Sequence, residues 1–148
     1  MRRHLPEEAE ERLKKRFQLI NLWRPISHVA YDWPLALCDF RSVNPGRDTF
    51  PVSLIYPDRA GETMGVQYSP DYKWKYFYGM TPEEIVLIKW SVLSSSFLCC
   101  FSQMCSYDSL QDGSVALFTP HTAFEDPNTP PDAPLRESIE LRALVFYD

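Results

Sequence analysis

The sequence predicts a mainly β chain, an antiparallel barrel or jelly roll with a single α-helix ahead of it. Three observations carry that expectation. Short runs rich in Val, Ile, Phe, Tyr and Trp recur at fairly even spacing from residue 17 to the end. Turn signals separate several of them, namely Asn44-Pro-Gly46, Pro57-Asp58 and Asp112-Gly113. Aromatic residues make up 14% of the chain, and 13 prolines stand against 5 glycines, which suits a loop-rich β protein better than a helix bundle.

The helix is expected over residues 6–16. Pro6 suits a first helical position, and Glu7, Glu8, Glu10 and Glu11 sit where the helix dipole favours acid. Glu8 with Arg12, Glu10 with Lys14 and Glu11 with Lys15 form i,i+4 pairs in the favourable order. The charge run therefore reads as a solvated helix face. From Phe17 the period changes: residues 17–24 read as a strand stopped by Pro25, which has no N–H to give to a ladder. Further strands are expected at 35–40, 52–56, 66–68, 74–78, 85–90, 115–124 and 138–147. Residues 91–106 match nothing on either side of them, with six serines, three of the four cysteines and no charge.

A chain of 148 residues is at most one domain with one modest core. Its net charge of −5, with no basic stripe, offers nucleic acid no electrostatic footprint. Cys38, Cys99, Cys100 and Cys105 lack the C-x-x-C spacing of a zinc clamp. The apolar stretch near 85–101 is too short and too polar to span a bilayer, and no apolar run opens the chain. These features predict a cytoplasmic protein with reduced thiols and neither a nucleic-acid nor a membrane partner.

Chemistry concentrates near the C-terminus. His121 lies in Phe118-Thr-Pro-His-Thr-Ala-Phe124, and Arg136-Glu-Ser138 opens the last expected strand. Alternate strand residues share a face, so Arg136 and Ser138 are expected to point the same way. A guanidinium fork beside a hydroxyl suits a carboxylate, and a neutral imidazole suits Fe(II). Taken alone, a surface histidine and a solvated strand face account for the same residues.

The wider order of motifs adds to this. Asn21-Leu-Trp-Arg-Pro-Ile26, Pro34-Leu-Ala-Leu-Cys-Asp39, Tyr56-Pro-Asp-Arg59 and Trp74-Lys-Tyr76 come first. Met80-Thr-Pro-Glu-Glu84, Leu87-Ile-Lys89, Pro120-His-Thr-Ala-Phe124 and Arg136-Glu-Ser-Ile-Glu-Leu-Arg142 follow. This series resembles the AsaB hydroxylase/desaturase family, which includes fungal gibberellin desaturases and other oxygenases of secondary metabolism. The resemblance runs from about Phe17 to the C-terminus, apart from residues 91–106. It implies a double-stranded β-helix using Fe(II) and 2-oxoglutarate to hydroxylate or desaturate a small metabolite. By position it implies that His121 is the distal iron ligand and that Arg136 and Ser138 hold the co-substrate. Asn21 or Arg24, if facing the cavity, would meet a carboxylate of 2-oxoglutarate or substrate, while Trp23 reads equally well as core. Glu140 and Arg142 share a face with Arg136 and are expected to pair, and Asp39 and Asp58 read as turn and strand-end residues.

The chain also departs from the family pattern. The family's first iron ligands form a His-x-Asp pair upstream of the Asn-x-Trp-Arg-Pro motif. Here His4 is followed by Leu5-Pro6 and His28 by Val29-Ala30, so neither has a carboxylate two residues on. The expectation is a single, incomplete oxygenase domain, inactive as it stands, either a fragment or a chain that has lost catalysis. The alternative is a non-catalytic β-barrel remnant binding a small acid or a protein partner. Removing residues 91–106 restores a run resembling the family's; an unspliced in-frame intron and a lid loop both account for the insertion.

Overall fold

The computed structural model describes residues 5–57, 59–89, 108–110 and 112–147, with the backbone alone for 59–62. Among them the chain is mainly β, as expected. Two three-stranded antiparallel sheets and a β-hairpin account for its strands. No helix among the described residues is long and apolar enough to cross a membrane.

The expected N-terminal helix shrinks to a single turn, α1 (Ala9–Arg12). Glu8 stands at its N-cap but makes no side-chain cap bond, and so short a helix has little propagation to offset its nucleation. Arg12 donates to Glu8 at 3.1 Å as predicted, whereas Lys14 reaches Glu11 at i,i+3. The chain then enters β1 (Phe17–Pro25), the central strand of a sheet whose edges are β6 (Val86–Lys89) and β8 (Ser138–Phe146). Asn21, Trp23 and Pro25 are buried on one face of β1, while Arg24 between them is exposed. That alternation is the strand period of two.

The second sheet runs β5 (Trp74–Tyr76), β2 (Leu35–Cys38), β7 (His121–Ala123). The core between the sheets holds Trp23, Ala30, Met80 and Ile88, against which Leu35, Leu37 and Val86 pack. A second cluster of Cys38, Val43 and Phe118, with Phe40, Val66 and Tyr72 against it, joins the second sheet to the hairpin β3 (Thr49–Tyr56) and β4 (Arg59–Val66).

Several boundaries differ from those expected, each for a local reason. Strand 35–40 stops at Cys38 because the Asp39 carboxylate accepts from the Arg41 N–H at 3.1 Å and starts a 3₁₀ turn over Phe40–Ser42. Asp39 is thus a capping residue; Asp58 lies outside the described residues. The Asn-Pro-Gly signal marks a one-turn helix, α2 (Pro45–Asp48), rather than a plain turn. The strand expected at 66–68 precedes that position, as β4, because its Gly and Glu residues are poor β formers and its pairing with β3 overrides them. At Gly65 a Cβ would come within 2.5 Å of the Phe50 ring, its register partner, so any larger residue would have to displace that half-exposed ring. The strand expected at 115–124 is reduced to β7; Pro120 before it has no N–H to donate, although its carbonyl still accepts from the Cys38 N–H at 2.8 Å.

Residues 91–106 lie outside the described residues, but the register around them is informative. Lys89 pairs with Ile20 of β1, and two residues further along β1 Gln18 is bridged by Asp108. Asp108 thus takes the position that a strand continuing past Trp90 would reach with residue 91. Its carboxylate, with no exposed surface, is held by Lys89 Nζ at 2.7 Å and Arg16 Nη2 at 2.9 Å. Gln18 Nε2 at 2.8 Å and the Leu110 N–H at 3.0 Å complete the clasp. Burial pushes this carboxyl up, but the hydrogen bonds from Arg16 and Lys89 outweigh it and hold it well below the usual carboxylate range.

Candidate functional site

His121 is the first residue of β7, an edge strand, directly after Pro120. Register sets it opposite Leu37, which is itself opposite Lys75, so the three share one face of the sheet. Its Nδ1 lies 3.0 Å from the Thr119 carbonyl. The contact fits the tautomer with the proton on Nδ1, in which Nε2 is the nitrogen suited to a metal. A crevice of about 440 Å³ opens beside the imidazole, walled by Met64, Gly65 and Val66 of the hairpin and by Trp74 and Phe118. A second cavity of about 220 Å³ lies between the sheets, lined by Trp23, Leu35, Leu37, Tyr76, Phe77 and Met80. Both have the mainly apolar walls of a small-molecule site.

Across the inter-sheet space stands the inner face of β1 and β8. Ser138 is opposite Pro25, Glu140 opposite Trp23 and Arg142 opposite Asn21, so these polar side chains lie on the face that carries Trp23. Arg136 precedes the strand rather than opening it, since β8 begins at Ser138. Its guanidinium nonetheless reaches inward to lie 5.7 Å from the centre of the Trp23 ring, a cation–π distance. Its Nη1 donates to the Trp33 carbonyl, and its backbone N–H donates to Asp32 Oδ2 at 3.1 Å. Trp33 holds a left-handed φ of 44°, unusual for so bulky a residue. Asp32 and Trp33 carry no motif, so their grip on Arg136 was invisible in the sequence.

Asn21 is fully buried, and neither its Oδ1 nor its Nδ2 has a hydrogen-bond partner among the described residues. An unsatisfied buried amide costs about 1–3 kcal/mol, so it stands out as a group awaiting a partner. Arg24 is on the opposite face of the same strand and is exposed. The two cannot face one cavity together, because three residues of a strand reverse the side. The expectation is corrected for Arg24: it points away from the inter-sheet space.

Among the described residues, no three of His, Cys, Asp and Glu come together as a group able to hold a metal. His28, with Nδ1 3.1 Å from the Val29 carbonyl, joins no such group. One imidazole does not make the three-ligand face that iron needs, so the donors described here do not fit Fe(II) by themselves.

Residues 1–146 match a family model described as an oxidoreductase/YMDC permease-like domain. Aspirochlorine biosynthesis protein N of Aspergillus oryzae is 38% identical over 98% of this chain and 54% of its own length. Hydroxylase/desaturase asaB of Aspergillus flavus is also 38% identical, over 95% of this chain and 60% of its own length. Among solved structures, the iron and alpha-ketoglutarate-dependent endoperoxidase NvfI superposes with a TM-score of 0.77 at 30% identity, covering 98% of this chain and 47% of that one. The chain thus spans about half the length of the curated relatives it matches. The resemblance read from the ordered motifs is borne out, and the chain belongs to the AsaB hydroxylase/desaturase family, whose members include Fe(II)/2-oxoglutarate-dependent oxygenases.

Proposed function

We propose that this chain supplies the distal half of an Fe(II)/2-oxoglutarate oxygenase site acting on a small metabolite, by hydroxylation or desaturation. In this reading the chain is one incomplete oxygenase domain interrupted by an insertion at residues 91–106. His121 provides one imidazole ligand, and Arg136 with Ser138 grips the far carboxylate of 2-oxoglutarate. The other ligands, a His-x-Asp pair in the family, have no counterpart in this sequence. Because a single imidazole does not fit iron, no step of the reaction follows from these residues alone. Their part is to orient the acids and to keep water from the space between the sheets.

What supports this reading is placement: the β2 row opposite His121 and the Arg136 guanidinium both flank the core between the sheets, while His121 itself lines the crevice beside the hairpin. The row bearing His121 also contributes Leu37 to the cavity wall, and Trp23 opposite lies under the Arg136 guanidinium. Arg136 has five N–H donors, of which the Trp33 carbonyl engages one group, so its fork retains donors for a carboxylate. Asn21 offers an amide on the same strand face as Trp23.

The test is a 2-oxoglutarate titration on the chain joined to a His-x-Asp-bearing segment of a relative. Arg136→Leu should weaken 2-oxoglutarate binding by about 1.5–3 kcal/mol, the worth of a charge-assisted hydrogen bond, and should disturb iron binding much less. Unchanged 2-oxoglutarate affinity removes Arg136 from the site.

A further inference from the structure

The cavity of about 220 Å³ between the sheets has an almost wholly apolar wall, with Trp23, Leu37, Phe77 and Met80 in its lining. Lys75 and Tyr76 are the polar exceptions. Tyr76 packs edge-on against Phe124 at 4.9 Å, and a hydrogen bond to Asp126 pushes its phenol up, so it stays neutral. Among the described residues Lys75 is therefore the one charge in the lining. It is the middle residue of β5 and stands opposite Leu37, which packs on the inter-sheet core. Lys75 is exposed, so its aliphatic stem lines the cavity while its ammonium sits at the mouth.

Among the described residues no carboxylate forms an ion pair with this ammonium. Asp39, held low chiefly by hydrogen bonds from Arg41 and least by the charge of Lys75, is already clasped by Arg41 Nε at 2.9 Å and Nη2 at 2.6 Å. A lysine on an edge strand often does no more than block pairing with another strand. Beside an apolar cavity the same charge becomes the single placed polar group that orients a ligand. We propose that the cavity takes an apolar ring compound carrying one carboxylate, and that Lys75 is the residue that selects the acid. Trp23 and Phe77 offer ring faces and edges to the ligand's body, and Lys75 meets its carboxylate at the cavity mouth. This ligand is a substrate only if the oxygenase reading above holds; its binding needs neither iron nor 2-oxoglutarate.

Isothermal titration calorimetry on the 148-residue chain, without metal, compares 2-naphthoate with its neutral isostere 2-naphthamide. The acid should bind about fivefold more tightly than the amide, the upper worth of an exposed ion pair. K75M should abolish that preference and K75R should keep it. Both should hold the native melting temperature, because the side chain is exposed; if K75M does not fold, K75E decides by favouring the amide. Failure of both compounds to bind, equal binding of the two, or a preference that survives in K75M overturns the proposal. So does displacement of 2-naphthoate by 2-oxoglutarate, or a preference removed by R136L instead, which would make the cavity part of the co-substrate grip. The Arg136 titration above decides the oxygenase reading separately, so either can fail alone.

Discussion

Replacing Asp108 tests the clasp that closes the first sheet. The carboxylate has no exposed surface and receives Lys89, Arg16, Gln18 and the Leu110 N–H within 3.2 Å. Breaking a buried ion pair by removing one partner typically costs about 3–5 kcal/mol, because the other charge is left without compensation. Here Lys89 and Arg16 are 21% and 34% exposed and can turn partly to water, which lowers the figure. Asp108→Ala should therefore cost about 2–4 kcal/mol, and Asp108→Asn about 2 kcal/mol, since the amide keeps an acceptor for Gln18 or Leu110. Folding holds this carboxyl below its ordinary value, so its stabilisation is complete above the unfolded pKa of about 4 and drains away as pH falls below it. Urea denaturation followed by tryptophan fluorescence at pH 7 and pH 3 measures both effects, with buried Trp23 as reporter. The gap between native chain and Asp108→Asn should narrow at pH 3. A loss below about 1 kcal/mol at pH 7, or a gap of equal size at both pH values, refutes the reasoning.

Two further outcomes follow from the same sheet. Asn21→Leu should leave the melting temperature of the chain unchanged or raise it, because the native amide is buried with both polar atoms unpaired among the described residues. A loss beyond about 1 kcal/mol would mean that the amide has a structural partner. Deleting residues 91–107 should join Trp90 to Asp108 in the register that β1 already imposes, one residue beyond the boundary drawn from composition. Circular dichroism and urea midpoints should then match those of the native chain, whereas an unfolded product contradicts the reading of this segment as an insertion.

How far the sequence was legible depended on whether a residue's environment is local. The strand at 17–24 and its stop at Pro25 were readable because periodicity and a missing N–H act within the strand itself. β4 was missed because Arg59-Ala-Gly-Glu-Thr-Met-Gly-Val has weak strand propensity and pairs only because β3 lies beside it. The helix was overestimated because its ion pairs are worth tenths of a kcal/mol each, too little to hold three turns without packing. At the site, His121 and the Arg136-x-Ser138 spacing could be singled out from residue type. The face of Arg24 turned on strand phase relative to Asn21, which the spacing already contained. The Trp33 carbonyl that holds Arg136, like the cations around Asp108, comes from distant positions and carried no sequence signal.

Succinate formation under air, with Fe(II) and 2-oxoglutarate, tests most directly whether this chain holds only part of an oxygenase site. No substrate need be known, because uncoupled decarboxylation reports the assembled iron centre. The 148-residue chain should give no succinate above a metal-free control, since no three of His, Cys, Asp and Glu come together among the described residues to hold a metal. Supplying a His-x-Asp-bearing segment from a relative should bring succinate formation, and His121→Ala should then remove it. Succinate from the chain alone, or turnover in the joined protein that survives His121→Ala, would contradict the assignment of His121 and of a site completed from outside this chain.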